Sequence, residues 1–198
     1  MIDHPSSNKG TFIFHEVDYL IQAGGQERHL LNNVTGYVKP GQLTALMGAS
    51  GAGKSTLLET ISQRKTEGRT EGTLLFDGKP LYHTFSRSCG FCMQQDVHEP
   101  LATVKEALQF SAFLRQSATT PEAEKVQDVD RIMDLLELDI IADAMVGSLG
   151  VEERKRVTIG VELCARLSAL LFLDEITTFP IASCLPCLLI GSFFGMTM

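Results

Sequence analysis

The chain has 198 residues, 44% of them hydrophobic, which is enough for one well-formed core. Its 17 Lys and Arg against 24 Asp and Glu leave a net charge of −7, which repels a polyanion, so no nucleic-acid partner is expected. Met1 to Gly10 has neither the apolar stretch of a secretory signal nor an Arg-rich amphipathic helix, so the working compartment is expected to be the cytosol.

In chain order, Thr11 to Ile21 alternates Phe12, Phe14, Val17 and Tyr19 with polar residues, the pattern of a strand that ends at Gly24-Gly25. A second extended run passes through Leu30, Leu31, Val34 and Val38. The Pro40-Gly41 turn then hands over to Leu43–Met47, a short apolar run suited to the centre of a parallel sheet. After a glycine-rich loop, Lys54 to Arg64 has the apolar spacing Leu57, Leu58, Ile61 of a helix. Gly72–Asp77 and Cys89–Met93 are expected strands, with the turn chemistry of Asp77-Gly78 between them. From Thr103 to Gln116 and from Pro121 to Leu138 the period becomes helical, with Val104, Ala107, Leu108 and Ala112 on one face and Val129, Ile132, Leu135 and Leu136 on another. These two helices make an insert at about 100–148. Glu152 to Arg166 is a further helix, leading into Ala169–Leu173, a wholly apolar strand that ends in Asp174-Glu175.

Five cysteines and no secretory signal argue against a disulfide framework. Cys89/Cys92 and Cys184/Cys187 have zinc-like spacing, but residues three apart on a strand point to opposite faces, so reduced buried thiols are the favoured reading. Residues 176–198 carry no charge and are rich in Phe, Leu, Ile and Cys. Pro180 and Pro186 interrupt them, and the twelve residues 187–198 fall short of the roughly 20 that a spanning helix needs. This hydrophobic tail is therefore expected to be an aberrant end rather than an evolved element.

Gly48-Ala49-Ser50-Gly51-Ala52-Gly53-Lys54-Ser55 fits G-x-x-x-x-G-K-[ST] without a mismatch, between an expected strand and an expected helix that continues through Thr56. Such a loop turns successive backbone N–H groups toward a β-phosphate, and the helix N-terminus adds partial positive charge. In this reading Lys54 bridges β- and γ-phosphates, and Ser55 Oγ ligates Mg²⁺. Asp174, at the tip of an apolar strand, is poorly explained by packing; a magnesium ion near Ser55 would give its carboxylate a partner. Glu175 is then the candidate general base for an attacking water. No N-K-x-D run occurs, which disfavours a GTPase.

The run Gly90-Phe-Cys-Met-Gln94-Gln95-Asp96, followed by Thr103–Ala112, resembles the glutamine loop and the start of the helical subdomain of ABC ATPases. Leu149–Leu163 resembles their signature segment and the helix after it. With Val38-Lys39-Pro40-Gly41 and Leu43–Met47 added, the pattern is most similar to the pleiotropic drug resistance group of the G subfamily, and to the second of its two ATP-binding halves. The resemblance covers about Thr11 to Glu175.

That resemblance implies an α/β P-loop NTPase (RecA-like) core with an N-terminal β-rich subdomain and a helical subdomain, incomplete at the C-terminus. It assigns residues 1–175 to the ATP-binding domain. It implies ATP and Mg²⁺ as ligands, a second ATP-binding head and transmembrane domains as partners, and a place at the cytoplasmic face of a membrane. Gln94 aligns with the glutamine that touches Mg²⁺ and the attacking water. Phe14 and Tyr19 are candidates for stacking on adenine, with core packing the favoured alternative.

Two departures from the family pattern carry information. The usual signature Leu-Ser-Gly-Gly-Gln reads Leu149-Gly150-Val151-Glu152-Glu153 here. A carboxylate about 4 Å from a phosphate oxygen costs about 4 kcal/mol at an effective dielectric of 20, so this run is expected to support a slow or non-hydrolytic site in a partner. The same two glutamates also suit a helix N-terminus. After Glu175 the family pattern Pro-Thr-Ser-Gly-Leu-Asp is replaced by Ile-Thr-Thr-Phe-Pro, and all five histidines precede Asp174, so none takes the place of the family's switch histidine. The missing last strands would leave a sheet edge unpaired. The alternative function is therefore a nucleotide-binding remnant without turnover. The basic run Arg154-Lys155-Arg156 is expected on a solvated or interdomain face.

Overall fold

The computed structural model describes residues 10–167 and 169–174. They form two compact units, one up to Cys89 and one from Gly90.

The first unit is built on an antiparallel sheet. Strand β1 (Phe12–Ala23) pairs with β2 (Gln26–Val38) and with β3 (Arg69–Phe76), and β3 pairs with the short β4 (Lys79–Pro80), giving the order β2-β1-β3-β4 among the described residues. The expected alternation on β1 is interrupted once. Glu16 has φ 52°, and the register of β1 shifts between Phe14 and Val17 against β2 and between His15 and Asp18 against β3. This bulge lets Phe14 and Val17, an odd number of residues apart, both lie buried with Phe12 and Tyr19. Phe85 completes the cluster, stacked on Phe12 with ring centroids 5.8 Å apart. Helix α1 (Lys54–Ile61) buries Leu57, Leu58 and Ile61, as its spacing predicts, and ends three residues short of the expected Arg64.

Two expectations in this unit need correction. Leu43–Met47 belongs to neither sheet of the described residues, and Leu43 and Met47 are 45% and 66% exposed. An apolar run specifies a buried environment, but a strand also requires a ladder partner far away in sequence, which local pattern does not encode. Asp77-Gly78 does form a two-residue hairpin turn, but it joins β3 to β4, pairing Phe76 with Lys79, rather than leading to the next core strand.

In the second unit, β5 (Gly90–Cys92) and β6 (Leu171–Leu173) pair in parallel, and three helices pack together: α2 (Val104–Arg115), α3 (Glu122–Leu135) and α4 (Val151–Leu163). Thr103-x-x-Glu106 starts α2 with a reciprocal capping box: Glu106 N–H donates to Thr103 Oγ1 at 3.2 Å, and Thr103 N–H donates to Glu106 Oε2 at 2.9 Å. Val104, Leu108 and Ala112 of α2 meet Val129 and Ile132 of α3 and Val157 of α4 in a buried core. Leu108 lies over Gly160, where an added Cβ would sit 3.3 Å from its Cδ2. Two ion-pair systems tie the ends of these elements together. Arg115 grips Glu162 with two bonds of 2.8 and 2.9 Å, while Glu162 Oε2 also accepts from Phe91 N–H at 3.1 Å. Asp128 takes Arg166 and Gln116 between α3 and the end of α4. No helix among the described residues is long and apolar enough to cross a membrane.

Candidate nucleotide-binding site

The glycine-rich loop folds as a turn that closes on its own lysine. Ala52 N–H donates to Ala49 O at 3.1 Å, and Lys54 Nζ donates to Gly48 O at 3.0 Å and Ala49 O at 2.9 Å. Gly51 and Gly53 hold φ of 79° and 88°, a region that L side chains adopt at a cost, so glycine at these positions sets the curl. Gly53 is the N-cap of α1, and its carbonyl accepts the first helical bond from Leu57 N–H at 2.8 Å. A side chain there would also meet Leu31 Cδ2 at 3.3 Å, so β2 supports the loop from below. Residues 48–52 are exposed, while Lys54, Ser55 and Thr56 are half-buried in the first turn of the helix. That turn contains no acidic residue, so its N-terminal positive field is not offset locally. Exposed amide-bearing loop, fixed ammonium and uncompensated helix N-terminus form a ready anion cradle.

The other candidate residues lie in the second unit, at the carboxyl ends of its parallel strands. Asp174 follows β6, is buried, and donates its N–H to Cys92 O of β5 at 2.9 Å. Gln94 lies two residues beyond Cys92 on the same end of the pair and is exposed. The structure thus brings Asp174 and the Gln94 loop to one end of one strand pair, the end at which parallel sheets bind ligands. Glu175 lies outside the described residues, as do residues 176–198 with Cys184 and Cys187.

Phe14 and Tyr19 are both core residues, 0% and 3% exposed, with Tyr19 Oη donating to Glu67 O at 2.7 Å; neither offers a face to a base. Cys89, Cys92 and Cys164 are buried and outside any disulfide. Burial pushes Cys92 well above the ordinary thiol range and Cys164 up to about 12.

The signature-like run shows how its carboxylates are held. Glu153 Oε2 accepts from Gly150 N–H at 2.8 Å, and Glu152 pairs with Arg156 at 2.8 Å. Both therefore serve the start of α4, which reduces the charge they present outward. Of the neighbouring basic run, expected on a solvated or interdomain face, Arg154 and Arg156 are half-buried and Lys155 is not solvated. Arg156 sits between Glu152 and Glu137, Arg154 donates to Leu149 O at 2.8 Å, and Lys155 is buried at 4% exposure. A lysine in a run of charges reads as solvated, yet α4 is packed on several sides. Lys155 and Thr158, one turn apart on it, bond to Asp96 at 2.8 and 2.6 Å. Polar residues three apart on a helix with apolar neighbours were the only sequence signal of this arrangement.

A glycine-rich loop leading into a helix, with Lys54 and Ser55 at the junction, is the pattern of P-loop nucleotide-binding proteins. Residues 31–178 match the ABC transporter family. The chain is 55% identical over 173 residues to the ABC multidrug transporter atrF of Aspergillus flavus, covering 87% of this chain and 11% of that protein. Its fold is that of cbiO1 from Clostridium perfringens, part of the ABC transporter complex cbiONQ, with a TM-score of 0.80 at 23% identity, covering 97% of this chain and 79% of that one. It is also that of MJ0796, solved as a dimeric bacterial ABC transporter cassette, with a TM-score of 0.78 at 22% identity, covering 94% and 87%. The chain belongs to the ABC transporter family and has the α/β fold of its ATP-binding cassettes. It spans about a tenth of the length of the multidrug transporter it matches.

Proposed function

We propose that this chain is the nucleotide-binding head of an ABC drug exporter, with residues 1–175 as its ATP-binding domain and a helical insert at about 100–148. The head binds MgATP at the cytoplasmic face of a membrane and hydrolyses it in concert with a second ATP-binding head, driving transmembrane domains outside this chain. The observation that carries this reading is the closed loop at Gly48–Ser55, with its curl at Gly51 and Gly53 and its ammonium at Lys54.

The residues fit a magnesium nucleotide in donor chemistry. The loop from Gly48 to Gly53 with Lys54, Ser55 and Thr56 supplies N–H groups, a cation and hydroxyls for phosphates, and residues 48–52 are exposed. Ser55 in the first unit and Gln94 and Asp174 in the second are each of the hard-oxygen donor type that Mg²⁺ prefers. When bound, Mg²⁺ draws negative charge from the β- and γ-phosphate oxygens. Lys54 neutralises charge on the same oxygens, exchanging its two carbonyl bonds for phosphate ones. Gln94 orients a water in line with the bond to be broken, and Glu175 takes its proton. The water oxygen bonds to the γ-phosphorus, the bond to the β–γ bridging oxygen breaks, and ADP carries away that electron pair. Release of phosphate then lets the two heads part, and that motion is the output.

Nucleotide affinity and steady-state hydrolysis, measured on the chain and on Glu175→Gln, test the proposal. Turnover abolished in Glu175→Gln with MgATP affinity retained supports the ATPase. Binding with no turnover in the unsubstituted chain supports the remnant reading instead.

A further inference from the structure

The segment that carries Gln94 is held from beneath by α4. Lys155 has three N–H donors and three acceptors: Met93 O at 3.0 Å, Gln94 O at 3.1 Å and Asp96 Oδ1 at 2.8 Å, all on that one segment. One turn on, Thr158 Oγ1 donates to the same Asp96 oxygen at 2.6 Å and shares a 2.7 Å bond with His98 Nε2. The Lys155 side chain is 5% exposed and Asp96 10%, so both charges are out of water and each depends on the other. Gln94 itself stays exposed, with its main-chain carbonyl anchored by Lys155. A surface ion pair would contribute little, but a buried ammonium with every donor engaged fixes the backbone it touches.

We infer that Lys155 is a positioning residue: its buried ammonium sets where Gln94 sits and makes residues 93–98 follow helix α4. The helix begins within the signature-like run, so a displacement of that run is carried to Gln94 through Lys155 and Thr158 rather than through the strand. This inference rests on the proposed role of Gln94 toward Mg²⁺.

The test compares the full chain with Lys155→Met, Thr158→Val and Gln94→Ala. Two quantities are read: amide hydrogen exchange across 93–98 and 48–56, and affinity for ATP with Mg²⁺ and with EDTA. For Lys155→Met, exchange across 93–98 rises at least tenfold and that of 48–56 does not change. Its affinity for Mg²⁺-free ATP stays within twofold, while the gain in affinity on adding Mg²⁺ shrinks at least threefold, as it does in Gln94→Ala. A general loss of packing would shift both affinities together. If Lys155→Met does not fold, Thr158→Val, which leaves Lys155 in place and removes the second anchor of Asp96 together with the bond to His98, gives the same pattern at twofold or more. A folded Lys155→Met or Thr158→Val with unchanged exchange across 93–98 overturns the inference. So does an intact Mg²⁺ gain in those variants beside a reduced one in Gln94→Ala. A Mg²⁺ gain unchanged in Gln94→Ala refutes the role of Gln94 itself, and the inference with it.

Discussion

Replacing Gly72 with alanine puts a methyl group where the main chain leaves no room. Gly72 has φ 100°, and a Cβ built on it lies 2.3 Å from Glu16 O, 2.8 Å from Glu16 C and 2.9 Å from His15 O. Carbon contacts settle at roughly 3.5 Å, and the crowding atoms are backbone, so no rotamer relieves them. Glu16 is also the bulge residue of β1, so it cannot retreat without breaking the flanking pairs His15–Thr73 and Asp18–Glu71. The dihedral alone costs about 1–2 kcal/mol and forced overpacking about 1–3 kcal/mol more, which together approach half the stability of an ordinary domain. Gly24 is the control. Its φ is 61° with nothing within 4 Å of an added Cβ, so Gly24→Ala carries the dihedral cost only. Urea unfolding of both variants, with midpoints and slopes compared, should place Gly72→Ala below Gly24→Ala by at least 1 kcal/mol. If the two agree within about 0.5 kcal/mol, the account of the bulge as a rigid backbone contact is wrong.

Burial holds His98 below its ordinary 6.5, against the upward pull of Asp96 and with the help of Arg154 and Lys155. The unfolded chain therefore takes up a proton near pH 6.5 that the folded one takes up only at lower pH. The contribution of His98 to stability is present above pH 6.5 and is lost as pH falls through the folded value. Urea midpoints between pH 7.5 and 5 should fall more steeply in the natural chain than in His98→Gln; parallel curves would contradict this. Cys164, pushed up to about 12, and Cys92, pushed higher, should resist alkylation at pH 8 in the folded chain and react after unfolding, as read by peptide mass mapping.

Much of this was legible from local chemistry. The glycine-rich loop at 48–55 announces itself because its glycines, lysine and serine are fixed in spacing by the curl they form. The apolar periods of 104–112 and 129–136 mark α2 and α3 because amphipathicity is short-range. The unexpected features depend on distant partners. The bulge at Glu16 has Gly72 of β3 against it, and Leu43–Met47 has no ladder among the described residues, although its composition implied one. Lys155 is buried because its acceptors lie about sixty residues away on the Gln94 segment. Glu152 and Glu153 were ambiguous in sequence, and their bonds to Arg156 and Gly150 show the helix-start role directly.

Calorimetric titration of MgATP into the chain and into Lys54→Ala tests the central claim most directly. The loop geometry predicts one nucleotide bound per chain and at least a tenfold loss of affinity in Lys54→Ala, about 1.4 kcal/mol or more. Equal affinity in the two proteins, or no heat of binding from the folded natural chain, would contradict it.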